Sequence, residues 1–111
     1  MNLLRGHVYR VSLEPVVGHE QRGSARPVVV MSKDGFNRRR GTVIVVPLGT
    51  SAEPLFPAAV SVPSMGAKSV ALCEHIRSLD KKRFLPEVGV LSEEDLTSVE
   101  NGVAALLGIS P

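Results

Sequence analysis

The chain of 111 residues has one cysteine, one tyrosine, three phenylalanines and no tryptophan. With Cys73 alone, no internal disulfide forms, and a reducing interior is expected. No apolar run approaches the roughly 20 residues that span a bilayer as a helix. Residues 1–6, MNLLRG, lack the apolar segment of a secretory leader. The expected location is therefore cytoplasmic. His7, His19 and His75 show no ligand spacing, and one cysteine does not make a zinc site. There is no glycine-rich phosphate loop of the Walker or dinucleotide type. No metal and no cofactor are expected, and the length fits a single domain over residues 1–111.

What is present is uneven charge. The net charge is only +2, yet residues 1–41 hold eight of the 13 basic residues and three of the 11 acids. The remainder is acidic, and residues 92–100 carry only acids among their charges: Glu93, Glu94, Asp95 and Glu100. A basic region of this kind suits a polyanion, although a solvated surface has the same composition.

Hydrophobic periodicity divides the chain. Residues 7–13 alternate as a half-buried strand, with Tyr9, Val11 and Leu13 on one face. Residues 27–32 form a β-branched run read as a strand covered on both faces. Asp34, Gly35 and Asn37 mark a turn, and residues 42–48 are a third apolar strand. Residues 56–63, bordered by prolines, read as a weaker edge strand. Residues 69–79 read as one long strand or two short ones. From Asp80 the period changes to that of a helix over 92–108, with Ser92 as N-cap, acids in the first turn and Gly108 as the stop. Leu96, Val99, Val103, Leu106 and Leu107 recur at helical spacing and should pack on the sheet. The expected fold is mainly β, a small curled sheet or barrel with a C-terminal α-helix.

Two places carry chemistry. Cys73-x-His75 on a strand would share one face, as a thiol–imidazole pair requires, but a lone strand cysteine is more often a small core residue. The loop from Gly18 to Pro27 holds His19, Glu20, Gln21, Arg22 and Arg26. His19 exchanges a proton near neutral pH, Glu20 and Glu74 offer carboxylates, and arginines grip phosphate bidentately. Those are the parts for cutting RNA without metal: a base for the 2′-hydroxyl, cations for the phosphorane, an acid for the leaving oxygen. By composition alone a wet hairpin loop reads the same way.

Motif order separates the two readings. Arg5-Gly6-x-Val8-Tyr9, Gly18-His19-Glu20-Gln21-x-Gly23, Arg26-Pro27-Val28-Val29-Val30, Val45-Val46-Pro47-Leu48 and Glu74-x-Ile76-Arg77-x-x-Asp80 stand in the order of the MazF/PemK/Kid toxins. The chain resembles that family over nearly its whole length. The resemblance implies an SH3-like β-barrel of the CcdB/Kid type. It implies a homodimeric, metal-independent mRNA interferase that cuts single-stranded RNA at short sequences, leaving a 2′,3′-cyclic phosphate and a 5′-hydroxyl. It also implies a cognate antitoxin that lays an acidic C-terminal segment over the site. By position, Arg26 matches the family's catalytic arginine, His19 the histidine of Kid-like members and Glu74 their carboxylate. Gly49 stands where many members have a catalytic threonine, so that Thr50 is the nearest substitute, and Leu72 replaces a Kid-type arginine. Glu20, Gln21, Arg22 and Arg77 are the expected RNA contacts. A CcdB-type gyrase poison would need a tryptophan-bearing C-terminal tip, which is missing here. A non-catalytic nucleic-acid-binding module is the other alternative, with few aromatics for base stacking.

Overall fold

In the computed structural model, the described residues are 2–12 and 25–110. In chain order they form β1 (His7–Ser12), β2 (Ala25–Val30), α1 (Asp34–Arg39), β3 (Thr42–Gly49), β4 (Ala59–Ser61), β5 (Val70–Leu72), β6 (Arg77–Asp80), β7 (Phe84–Val90) and α2 (Glu93–Leu107). The pairings are antiparallel, in the order β4-β5-β3-β2-β1-β7. β6 joins the same edge of β3 as β5, further along that strand. The mainly β architecture with a terminal helix is as expected.

The sheet curls, but among the described residues its ladder does not close from β4 to β7. A 3-10 turn, Pro63–Met65, bridges the ends with side chains. Met65 packs so closely against Gly89 of β7 that a Cβ there would meet its sulfur at 2.6 Å. The turn is tied to α2 as well. The Ser64 amide donates to the Asp95 carboxylate at 2.8 Å, its hydroxyl contacts the same oxygen, and the Ser92 amide donates to Ser64 Oγ at 3.1 Å.

Alternation along the central strands feeds two cores, one on each face. Val8, Val29, Val46 and Leu48 point toward α2 and meet Val60, Cys73 and Val99. Tyr9, Val11, Val28, Val30, Val43 and Val45 point the other way, to Leu3, Leu79 and Phe84. There the Tyr9 and Phe84 rings meet edge-on at 5.7 Å. The reading of β2 as covered on both faces holds.

Helix α2 begins and ends as its caps dictate: Ser92 Oγ accepts from the Asp95 amide, and Gly108 takes a left-handed φ of 71°. Leu96, Val99 and Val103 pack on the sheet, whereas Leu106 and Leu107 are exposed. Three local expectations differ from the structure. Residues 34–39 form a short helix, not merely a turn; the edge strand shrinks to Ala59–Ser61; and β7 was not anticipated. No helix is long and apolar enough to cross a membrane among the described residues.

Candidate active site

The stretch 69–79 resolves into two short strands separated by the 3-10 turn Cys73–His75. β5 pairs Ala71 with Leu48 and Val70 with Gly49, while β6 pairs Arg77 with Val45 and Leu79 with Val43. Between the two pairings the register slips by three residues, the length of the turn, so 73–75 are extruded from the ladder. In a 3-10 turn successive side chains point about 120° apart, as three residues per turn require. Cys73 therefore enters the helix-side core, fully buried, Glu74 and His75 are both exposed, and His75 turns toward the opposite face. The thiol and imidazole expected on one face are on two. Burial pushes the Cys73 thiol up from its ordinary value, away from a nucleophile's needs.

That opposite face has a hollow of about 290 Å³ at the open end of the second core. Val11, Val28 and Leu79 floor it, and Arg26, His75 and Arg77 rim it. Strand alternation explains the placement. Arg26 follows the parity of Val28 and Val30, and Arg77 that of Leu79, so the period that buries the valines carries each guanidinium to the edge of the same core. Arg26 lies opposite Val11 in the β1–β2 ladder and is partly buried. No acid lines the hollow among the described residues.

Arg26 and Leu72 also border a second hollow of about 490 Å³, formed where β2 begins and β3 ends. Gly49, Thr50 and Ser51 supply its far side. Thr50, the hydroxyl nearest to the family position, thus shares a hollow with Arg26. Gly49 leaves room beside Leu72, whose Cδ1 would lie 3.7 Å from an added Cβ.

Of the expected site residues, Arg26, Thr50 and Arg77 come together around these two hollows. Glu74 lines neither; it sits exposed on the turn. His19, Glu20, Gln21 and Arg22 lie outside the described residues. His75 is the addition, overlooked because a strand reading paired it with Cys73. The signal available was its place one residue from Glu74 in a segment that had two readings. Among the described residues no three His, Cys, Asp or Glu side chains gather as metal ligands. A basic, core-floored hollow beside a hydroxyl is equipped to hold a phosphodiester and stabilise added negative charge on it.

Comparison with known proteins gives this geometry a lineage. Residues 4–107 match the family described as PemK-like, MazF-like toxin of type II toxin–antitoxin system. An endoribonuclease MazF of Staphylococcus epidermidis is 38% identical over 96% of this chain and 92% of that protein. The MazE–MazF crystal structure (Form-II) from Deinococcus radiodurans contains a chain 30% identical, with TM-score 0.83 and 99% of each chain covered. A mycobacterial endoribonuclease in complex with its cognate antitoxin is 25% identical, with TM-score 0.80 and 97% of each chain covered. The chain belongs to the PemK-like, MazF-like family of type II toxin–antitoxin toxins.

Proposed function

We propose that this protein is the toxin of a toxin–antitoxin pair and acts as a metal-independent endoribonuclease on single-stranded RNA in the cytoplasm. The observation that carries the reading is the hollow rimmed by Arg26 and Arg77, which no acid lines among the described residues, with Thr50 in the hollow next to it. The substrate class follows from the name of the Staphylococcus epidermidis relative, an endoribonuclease. In the reaction, the 2′-oxygen bonds to the adjacent phosphorus, its proton passes to a base, and the P–O5′ bond breaks as an acid protonates the departing oxygen. A 2′,3′-cyclic phosphate and a 5′-hydroxyl remain. Arg26 stabilises the phosphorane, His19 transfers a proton with Glu74 as its candidate partner, and Thr50 orients the phosphate. Glu20, Gln21, Arg22 and Arg77 engage RNA around the cleaved bond.

Two partners complete the reading. An antitoxin with an extended acidic segment matches the basic rim in charge, and titrating such a peptide should suppress both cleavage and RNA binding. A second copy of the chain matches the apolar end of α2. There Leu106, Leu107 and Ile109 are exposed, and a hollow of about 280 Å³ lies between Leu107, Ile44 and Ile76. Leu107→Glu should shift the sedimenting species from dimer to monomer.

The central test incubates long RNA with the protein in EDTA, beside Arg26→Ala, and maps the ends. Cuts at a recurring short motif, with cyclic phosphate termini and lost in folded Arg26→Ala, are expected. Binding without cleavage by the wild type would overturn the ribonuclease reading.

A further inference from the structure

We propose that His75 is a proton-transfer group of RNA cleavage, acting from the rim of the basic hollow. The inference rests on the ribonuclease reading and assigns part of its chemistry to a residue that motif correspondence passes over. Position in sequence points to Glu74, but the fold gives the hollow to its neighbour. The three-residue slip between β5 and β6 extrudes Cys73–His75 as a 3-10 turn. That turn buries Cys73 and leaves both Glu74 and His75 exposed, and of the two only His75 borders the hollow with Arg26 and Arg77.

The chemistry suits the place. A phosphate drawn to Arg26 and Arg77 brings its 2′- and 5′-oxygens to the rim, where an imidazole reaches one of them. Imidazole is the side chain whose ordinary proton affinity lets it both accept and release a proton near neutral pH. Cleavage needs two such transfers. One group takes the 2′-hydroxyl proton as the O2′–P bond forms, and another gives a proton to O5′ as the P–O5′ bond breaks, so the enzyme's proton count is unchanged over the step. His75 performs one of these two transfers. On this proposal the proton-transfer partnership given above to Glu74 passes to His75, and the exposed carboxylate contributes through charge alone.

The test is the pH dependence of kcat/KM for RNA cleavage by the wild type, His75→Gln and Glu74→Gln, each with its melting temperature. Glutamine keeps a hydrogen-bonding side chain at 75 and removes proton exchange. His75→Gln is expected to lose about 10²-fold or more, in the range typical of general acid–base groups. It should also lose one limb of the bell-shaped profile. Loss of the acidic limb identifies the base, and loss of the alkaline limb the acid. Glu74→Gln is expected to lose less and to keep both limbs. If His75→Gln retains both limbs, or if Glu74→Gln is the more damaged variant, the proposal is wrong while the ribonuclease reading stands. A folded wild type that leaves RNA intact at every pH removes the ribonuclease reading itself.

Discussion

The two ends of the β2–β3 pair use polar residues in opposite ways. At the end where β2 finishes and β3 begins, the chain spends its polar groups on itself. Asn37, 2% exposed, donates from Nδ2 to the carbonyls of Leu3 at 3.1 Å and Ser32 at 2.9 Å. Its Oδ1 contacts the Ser32 hydroxyl, which accepts from the Ile44 amide at 3.0 Å. The Arg5 amide donates to Asp34 at 2.7 Å, and the Arg5 guanidinium contacts both Glu100 and the Met31 carbonyl. At the other end, Arg26, Thr50, His75 and Arg77 border hollows. The same two strands thus carry a sewn end and an open end. Substitutions at the first should cost stability, and at the second, activity.

The largest expected effect is at the open end. Arg26→Ala should lower kcat/KM for RNA by about 10²- to 10³-fold, the usual loss when one donor to a developing oxyanion is removed. Its melting temperature should stay close to that of the wild type. A variant that instead loses its fold would make Arg26 part of the sewn architecture and erase the contrast.

Asn37→Ala is the complementary break. It leaves the Leu3 and Ser32 carbonyls without this donor in a buried setting and should destabilise the protein by about 2–4 kcal/mol. Denaturant titration measures the loss. The folded fraction should cleave RNA at the wild-type rate per molecule, and a fall in that rate would mean that the sewn end communicates with the site.

How far these two ends could be read from sequence differs, for physical reasons. The open end was legible at Arg26 and Arg77 through motif order rather than local period, since the strand is read from Pro27 whereas β2 begins at Ala25 and takes Arg26 into its row. The strands β1, β2 and β3 and the caps of α2 followed from local rules. Three features did not. A three-residue extrusion preserves hydrophobic composition while turning each side chain by about 120°, so the residue that borders the hollow is His75 and not Glu74. β7 carries Pro86 and exposes Leu85, Val88 and Val90, so its apolar residues show no buried alternation. Asn37 looked like turn punctuation because its partners Leu3 and Ser32 come close only after β1–β3 assemble.

A smaller effect probes the seam between α2 and the extruded turn. At Gly102 an added Cβ would lie 2.8 Å from Cys73 Sγ, 3.0 Å from the Pro57 carbonyl oxygen and 3.3 Å from Val60 Cγ1. Gly102→Ala has to push these groups apart, and overpacking of this sort costs about 1–3 kcal/mol. Helical propensity returns up to about 1 kcal/mol. The net loss in thermal melting should therefore be modest. Because the strain presses on Cys73, cleavage should fall slightly as well, through displacement of His75 two residues on. A change in stability with no change in cleavage would make the turn a rigid partition between the core and the site.

The smallest effect concerns that partition directly. Burial raises the Cys73 thiol above its ordinary value, and burial does the same to the Tyr9 hydroxyl against the opposing hydrogen bond from the Leu4 amide. Both groups hold their protons more tightly folded than unfolded. The stability they contribute is complete below the unfolded values and is lost as pH rises through the folded ones. Melting temperature should be flat near neutral pH and decline on the alkaline side, with Cys73→Ala removing the earlier part of the decline. A thiol reagent at neutral pH should label the folded protein only as fast as it unfolds, since Cys73 Sγ faces the Ala71 and Val99 carbonyls at 3.8 Å inside the helix-side core. Rapid labelling of the folded protein would place the thiol on the same side as His75. The turn would then behave as the continuous strand that the sequence also allowed, and the division between buried core and open site would fail at the residue meant to enforce it.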